Sequence, residues 1–245
     1  MFLPDKFVRE PALLIPGRKP LGRVALCHNH PFFHPTGLFL VGGLQAHSVL
    51  GQAMQKVVVT DAGHHSTQQG VFERVYLSDY YRTVRNQPSG DWSMFFYGMP
   101  TIAYGSIPRR LIGFAEAPNA GTHDRQIQIN SSGNWSAYLY DGVQRHADTS
   151  VLASPDKFTA LLATCDGSVL KLFIDGVLAG SVVVNNHGYQ EYSSAEFLVG
   201  NSSSASVVYF VFKSVGVVDY CIPDTIAKQF TKNPDSYLKP AGGAW

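Results

Sequence analysis

Aromatic side chains that could pack against a sugar ring are concentrated in the segment NWSAYLYD at residues 134–141. Leu139 alternates with Tyr138 and Tyr140, so an inward-facing Leu139 would place both tyrosines on the opposite face of a strand. A second aromatic segment, NNHGYQEYSS, has the composition of a polar loop. We therefore predict a glycan-binding surface built from aromatic residues of these two segments, namely Trp135, Tyr138, Tyr140, Tyr189 and Tyr192. The alternative is that these tyrosines pack on a second sheet or on an N-terminal arm, with their hydroxyl groups hydrogen-bonded.

Histidine and cysteine residues near the N-terminus have the close spacing of some zinc ligands, at Cys27, His28, His30 and His34. No second cysteine pair and no distant HxxxH motif completes a ligand set, and the segment is rich in proline. We interpret these histidines as loop residues and extend that interpretation to the His64–His65 pair. The sequence thus predicts no metal centre at either place.

Acidic residues do not form a catalytic pattern. Glu73, Glu116, Glu191 and Glu196 are isolated, whereas glycoside hydrolases use two carboxylates that flank the scissile bond. The sequence also contains no GxSxG elbow, no phosphate-binding loop and no glycine motif in a strand–helix–strand setting. We therefore predict that the protein is not an enzyme.

The composition is that of a folded, nearly neutral chain, with 45% hydrophobic and 15% charged residues and a formal net charge of +1. Such a balance gives no basic surface for nucleic acid and no polybasic membrane anchor. The longest apolar run, at residues 207–212, is too short to insert in a membrane, and the first ten residues carry no signal-peptide pattern. The cysteines are odd in number, and we expect Cys165 and Cys221 to be buried free thiols because both lie in apolar runs.

Short apolar or alternating runs separated by turn residues predict an antiparallel all-β sandwich. The clearest case is KFTALLATC-DG-SVLKLFI-DG-VLAGSVVV at residues 157–184, which predicts a three-stranded meander. Its Asp166-Gly167 and Asp175-Gly176 pairs predict type I′ turns, because such turns need two residues at positive φ. Asp141-Gly142 predicts a further hairpin. We place the sandwich at residues 37–221.

The two ends differ from this pattern. Residues 1–36 carry prolines that interrupt a continuous strand or helix. We therefore predict an extended arm whose apolar residues dock either on its own domain or on a neighbouring molecule. At the other end, Pro223 and Asp224 favour a helix start, and Asn233-Pro234 favours its end. Residues 222–245 are thus predicted to form a short helix, with an apolar face for docking on the sandwich, and an extended tail. The apolar face consists of Ile226, Ala227 and Phe230.

The meander and the later segment EFLVGNSSS resemble the second half of a laminin-G-like, concanavalin A-like jelly roll. The family has a strand, a DG turn, a strand of the form lklyiDG, a return strand and a later strand ending in glycine. The segment DWSMFFY at residues 91–97 resembles its early strand, and the whole resemblance covers residues 37–219. It implies a two-sheet antiparallel jelly-roll sandwich.

A second resemblance concerns the ends. PGRKPLGRVAL and IPDTIAKQFTKNPDSYLKP are similar to the ends of jelly-roll proteins of tailed bacteriophages. This resemblance implies a virion protein, made in the host cytoplasm, that serves in adhesion or decoration. Its partners would be other virion proteins and host surface polysaccharide. The apolar arm adds further copies of the chain as partners, and the charge and the short apolar runs predict no nucleic acid and no membrane insertion.

Laminin-G-like domains often hold a calcium ion at one rim, so the resemblance also bears on metal binding. Asp141, Asp148, Asp166 and Asn185-Asn186 lie near predicted turns and carry oxygen ligands of the kind that Ca²⁺ prefers. Because hairpin turns already account for Asp141 and Asp166, we expect no cofactor and keep Ca²⁺ as the open alternative.

Three functions follow from these observations. The first is a non-enzymatic bacteriophage virion protein that binds host glycan or neighbouring virion proteins. The second is a carbohydrate-active enzyme, a polysaccharide depolymerase, which would need two carboxylates on one concave sheet. The third is a structural part with no ligand. We favour the first because the sequence lacks a catalytic set.

Overall fold

The computed structural model describes parts of the chain. The backbone is described for residues 24–28, 39–41, 44–48, 57–60, 63–66, 71–76, 91–116, 123–155, 157–185, 195–200, 210–218 and 221–234. Side chains are described for residues 91–113, 125–155, 157–185, 210 and 221–234. Most of the predicted arm and all of the predicted extended tail, residues 236–245, lie outside these ranges.

The described residues are mostly strands, followed by one helix. In chain order they form β1 (Val24–His28), β2 (Phe39–Val41), β3 (Leu44–Ser48), β4 (Val57–Thr60), β5 (Gly63–Ser66), β6 (Val71–Tyr76), β7 (Asp91–Pro100), β8 (Arg109–Glu116), β9 (His123–Ile129), β10 (Asn134–Tyr140), β11 (Gln144–Leu152), β12 (Thr159–Asp166), β13 (Val169–Ile174), β14 (Val177–Val183), β15 (Ala195–Gly200), β16 (Phe210–Val218) and α1 (Asp224–Lys232). Within the described ranges, no helix is long and apolar enough to span a bilayer.

The strands form two antiparallel sheets. Sheet A has the order β2-β1-β16-β7-β12-β13-β14, and sheet B has the order β11-β10-β9-β8-β15-β6. Strand β3 pairs with β2 on one side and with β6 on the other, and so connects the two sheets. The β4–β5 hairpin adds to sheet A through β5 and β16. The predicted all-β, two-sheet jelly-roll sandwich is therefore confirmed.

The main core lies between the sheets and follows from the two-residue period of the strands. On β7, Trp92, Met94 and Phe96 face inward, and residues of β9, β10, β12 and β13 complete the same cluster. Arg125 on β9 is also buried, with its guanidinium 5.4 Å from the centre of the Trp92 ring. These inward side chains set the orientation of each strand of sheet B, because their neighbours in sequence face the other way.

A second apolar cluster joins α1 to the outer face of sheet A. Phe95 of β7 meets Phe230 of α1 edge to face, with ring centroids 5.4 Å apart. The predicted helix, its bounds and its docking face are confirmed, since Ala227 and Phe230 are buried and Ile226 packs beside them. At the start of the helix, the Lys171 Nζ contacts the Asp224 carboxylate at 2.9 Å.

The turns of the meander differ from one another. Asp175 and Gly176 both have positive φ, at 49° and 87°, as the predicted type I′ turn requires. The same prediction for Asp166-Gly167 was wrong, because Asp166 is the last residue of β12 and Gly167 alone of the two has positive φ. Asp166 instead stabilises the turn through its side chain, which accepts from the backbone N–H of Ser168.

Other segments also differ from expectation. Val24–His28, in the predicted arm, form β1 between β16 and β2, so these residues belong to the sandwich. His28 ends that strand and the His64–His65 pair lies in β5, so the loop prediction was wrong for these three histidines. His30 and His34 lie outside the described residues. Both predicted free thiols are confirmed as free, but Cys221 is half-buried whereas Cys165 is buried. Burial raises the pKa of Cys165 to about 11 and that of Cys221 to about 12.

Candidate functional site

The outer face of sheet B carries a line of polar side chains across four strands. Because Ile127, Ala137 and Ala147 face the core, their sequence neighbours on β9, β10 and β11 face outward. The strand register places these outward residues side by side. They are Arg110 on β8, Gln126 and Gln128 on β9, Ser136 and Tyr138 on β10, and His146 on β11, and we call this set the polar row.

Hydrogen bonds connect the polar row from β8 to β11. The Arg110 Nε donates to the Gln126 Oε1 at 2.7 Å. The Gln126 Nε2 donates to the Gln128 Oε1 at 2.6 Å. The Gln128 Nε2 lies 3.4 Å from the Ser136 Oγ and 3.3 Å from the His146 Nδ1. The row is thus a continuous network whose members hold one another in place.

The polar row is buried except at its β11 end. Arg110, Gln126, Gln128 and Ser136 are all buried, with at most 5% of any one accessible. Burial lowers the pKa of Arg110 to about 9, because a low-dielectric environment disfavours the charged guanidinium. His146, at the β11 end, is half-buried. The row therefore opens towards solvent at the β10–β11 edge.

The open end carries further polar and aromatic groups. The Tyr138 ring meets the His146 ring edge to face, with centroids 5.1 Å apart. Tyr140 is half-buried and Asp148 is exposed. The Asp148 Oδ1 accepts a hydrogen bond from the Asn130 Nδ2 at 3.0 Å. This end therefore combines aromatic rings with a ring nitrogen and a carboxylate, and neighbouring side chains contact Tyr138, His146 and Asp148.

The structure separates the aromatic residues predicted as ligand-binding. Tyr138 and Tyr140 lie on the face opposite the inward-facing Leu139, as the alternation predicts. Tyr138 is only 6% exposed and contributes its ring to the polar row. Tyr189 and Tyr192 lie outside the described residues.

Trp135 does not belong to this surface. Its side chain is fully buried between the sheets, with its ring 6.3 Å from that of Phe96. Trp135 and Leu139 are four residues apart on β10, so the two-residue period places both on the core face. Its indole contributes to the core and cannot contact a ligand on the outer face of sheet B, so we correct the prediction for this residue.

Sequence reasoning missed Arg110, Gln126, Gln128 and His146. A partial signal was present, because HDRQIQI in β9 alternates glutamine with isoleucine as a half-buried strand does. The link to Arg110 and to His146 depends on which strands are neighbours in sheet B, and that order is not written in any local pattern.

The residues considered for calcium have other partners. The Asp141 carboxylate accepts from the Asn185 N–H at 2.7 Å and from the Arg145 Nε at 3.0 Å. Burial raises its pKa, but these bonds and one from the Val143 N–H outweigh burial, so the net shift is downward. Asp166 accepts from two backbone N–H groups.

These contacts do not fit a calcium site at either aspartate, because an arginine already neutralises Asp141 and turn amides already bind Asp166. No group of three or more His, Cys, Asp or Glu within the described ranges could hold a metal ion. Asn186 lies outside those ranges.

Comparison with known proteins extends these observations. A family model described as the concanavalin A-like lectin/glucanases superfamily matches residues 78–220, more than half of the chain. No curated protein sequence matches the chain.

Three solved structures illustrate the likeness of fold. Trypanosoma rangeli sialidase in complex with sialic acid has a TM-score of 0.62 and 10% identity, covering 94% of this chain and 37% of that one. The binding domain of Paraclostridial Mosquitocidal Protein 1 has a TM-score of 0.63 and 12% identity, and the match covers 86% of this chain and 52% of that one. Ruminococcus gnavus IT-sialidase CBM40 bound to alpha2,3 sialyllactose has a TM-score of 0.52 and 12% identity, and the match covers 72% of this chain and 97% of that one.

At such identities the likeness concerns the fold alone, and this chain spans little more than a third of the sialidase. The family match is a match of sequence and covers β7 to β16, which include every strand that carries the polar row. The chain therefore belongs to the concanavalin A-like lectin/glucanases superfamily.

Proposed function

We propose that this protein is a non-enzymatic glycan-binding module whose ligand docks at the open end of the polar row, on the outer face of β10 and β11. The observation that carries the proposal is the network from Arg110 through Gln126 and Gln128 to His146. Such a network fixes polar groups before a ligand arrives, which reduces the entropic cost of binding.

The chemistry of the open end suits a sugar. A sugar ring presents hydroxyl groups that both donate and accept hydrogen bonds, together with an apolar C–H face. The His146 ring and the exposed Asp148 carboxylate offer partners for hydroxyl groups. The half-buried Tyr140 offers an aromatic surface with a polar tip. The sialic acid and sialyllactose complexes among the similar folds lend support to a glycan as the ligand class.

The absence of catalysis is part of the proposal. Asp148 is the one carboxylate among the described outward side chains of β8 to β11, whereas the two-carboxylate mechanism of glycoside hydrolysis needs a pair. The alternative is a polysaccharide depolymerase. Release of reducing sugar from host polysaccharide by the purified protein would favour that alternative, and we expect none.

As its biological setting we propose the virion of a tailed bacteriophage, in which the protein contacts other virion proteins and further copies of itself. The resemblance of both end segments to phage proteins supports this setting, and the net charge of +1 is compatible with a particle surface that avoids nucleic acid. Mass spectrometry of purified particles should find the chain there. Its absence from particles would contradict the virion role and leave glycan binding intact.

The binding test compares single variants on a glycan array and by titration. We expect His146→Ala and Tyr140→Ala each to weaken binding of any bound glycan by roughly tenfold, the effect of losing about 1.4 kcal/mol. Ser181→Ala, an exposed change on β14 of sheet A, is the matched control and should bind as the wild type does. A folded wild-type protein that binds no glycan, or variants with unchanged affinity, would contradict the proposal.

A further inference from the structure

The polar row has a direction, which begins at Arg110. A guanidinium has only N–H donors and no acceptor. The Arg110 Nε is 2.7 Å from a side-chain atom of Gln126, and that atom must therefore be the amide oxygen. The Gln126 amide then has its NH₂ group turned the other way, towards Gln128 at 2.6 Å. One arginine thus determines how the first amide is oriented.

The same reasoning applies to the next residue. Because Gln126 presents NH₂, the facing atom of Gln128 must be its Oε1. The Gln128 NH₂ group then faces the Ser136 Oγ at 3.4 Å and the His146 Nδ1 at 3.3 Å. Ser136 can accept there, since its own hydroxyl donates to the Ala137 carbonyl. Both amide hydrogens of Gln128 therefore have acceptors if His146 also accepts.

His146 is the last member, and its tautomer follows. A ring nitrogen that accepts a hydrogen bond carries no proton, so the Nδ1 is bare and the ring proton of neutral His146 is on the Nε2. The Nε2 lies on the opposite side of the ring from Gln128. Within the described ranges the Nε2 has no hydrogen-bond partner, and the residue is half-buried at the open end of the row.

We propose that Arg110, Gln126 and Gln128 act as positioning residues that hold His146 in the Nε2–H tautomer, and that this N–H is the donor that meets the glycan. The statement that this N–H meets the glycan rests on the proposed function. The ligand accordingly presents an acceptor oxygen, from a hydroxyl or a ring ether, to His146. Tyr138 supports the arrangement by contacting the imidazole edge to face.

The tautomer is measured directly by nitrogen-15 NMR of the imidazole ring in ligand-free protein, at a pH at which the spectrum shows the ring to be neutral. We expect the wild-type His146 to give the Nε2–H pattern. Gln126→Glu should reverse the row, because a carboxylate accepts from both Arg110 and Gln128. Gln128 would then turn its oxygen towards His146, and the ring proton would move to the Nδ1. A wild-type Nδ1–H ring, or an Nε2–H ring in the folded Gln126→Glu variant, would overturn the proposal.

Two further variants keep this result interpretable. Gln128→Glu should also favour the Nδ1–H ring, since its carboxylate faces the Nδ1 directly, and it serves if the first variant does not fold. Gln144→Glu makes the same change of charge at an exposed position of β11, two residues from His146. This control should keep the Nε2–H ring. Backbone amide spectra verify the fold of each variant.

The claim that the His146 Nε2–H donates to a glycan is tested with lactose, maltose and cellobiose as probes. In the wild type we expect binding of at least one to shift the His146 Nε2 resonance, and Gln126→Glu to weaken that binding tenfold or more. If the tautomer responds to the variants as expected but no probe binds, the positioning of His146 is supported. The claim that His146 donates to a ligand is then overturned together with the proposed function. If a probe binds but the His146 tautomer is unchanged in Gln126→Glu, the positioning role of the row is overturned and the proposed function stands.

Discussion

Gly113 of β8 lies directly opposite Gln126 of β9, so closely that any side chain at 113 would collide with it. A Cβ at position 113 would lie 2.6 Å from the Gln126 Cβ and 2.5 Å from the Arg125 carbonyl oxygen. Real Cβ atoms do not approach other atoms to such distances, so strand β8 or β9 would have to move. The absence of a side chain at 113 is what leaves space for Gln126 in the polar row.

We therefore predict that Gly113→Ala destabilises the protein by about 1–3 kcal/mol, the usual cost of overpacking. It should also weaken glycan binding, because Gln126 would be displaced from Arg110. Urea unfolding and titration measure the two effects. Gly105→Ala is the matched control, since its Cβ would meet only the Ser131 carbonyl oxygen at 3.9 Å, an ordinary contact. Equal stability of the two alanine variants would contradict the prediction.

A second prediction concerns the attachment of α1. Phe230 is fully buried against Phe95 and the outer face of sheet A. Phe230→Ala should lower the free energy of unfolding by about 3–5 kcal/mol, because it removes a large buried side chain and leaves a cavity. Lys228→Ala, on the exposed side of the same helix, should change stability by less than about 0.5 kcal/mol. A loss below about 1 kcal/mol for Phe230→Ala, measured by urea unfolding, would mean that the helix contributes little to stability.

These elements illustrate what the sequence could predict. Strands β12 and β13 and helix α1 were predictable because their information is local: alternating apolar residues, glycines in tight turns and an apolar helix face. Strand β11 was predicted only in part. Asp141-Gly142 indicated the hairpin that joins it to β10, but QRHADTSVL has little apolar alternation from which to predict the strand itself. Strand β1 was missed because the prolines around it favoured an extended arm.

The candidate site was harder to predict than the fold. The alternation of Tyr138 and Leu139 could be read from one strand. The contact between Arg110 and Gln126 joins neighbouring strands through a register that shifts at a bulge, and His146 joins through a further strand. Such contacts depend on sheet order and register, which no short segment determines.

A third prediction concerns pH and Asp141. The pKa of this carboxyl is lower in the folded protein than its ordinary value because three hydrogen-bond donors bind the charged form. Its stabilising contribution is therefore fully present above the unfolded pKa of about 3.9 and is lost as the pH falls through the folded pKa. We expect Asp141→Asn to cost about 1–2 kcal/mol near pH 7 and the difference from wild type to shrink below about pH 3.9. Urea unfolding of both proteins near pH 7 and below about pH 3.9 measures the difference in free energy of unfolding. A difference that is larger in acid than at neutral pH would contradict the prediction.

The last prediction concerns the charge of the glycan. Asp148 is exposed and faces the same way as His146, two residues along β11, which separates them by about 6.8 Å. Its carboxylate can accept from a sugar hydroxyl but repels a carboxylated sugar, so we expect lactose to bind better than 3′-sialyllactose. Asp148→Asn should narrow this preference by roughly two- to fivefold, the range of an exposed charge interaction.

The effect of Asp148 should weaken as salt is added, because screening acts on exposed charges. Asp166→Asn, which removes an equal charge at the β12–β13 turn and keeps an acceptor oxygen for that turn, is the control and should leave the preference unchanged. Titration of lactose and of 3′-sialyllactose at low and high salt distinguishes the outcomes. If the wild type prefers the sialylated sugar, the carboxylate of Asp148 does not repel the bound ligand, and the prediction is wrong.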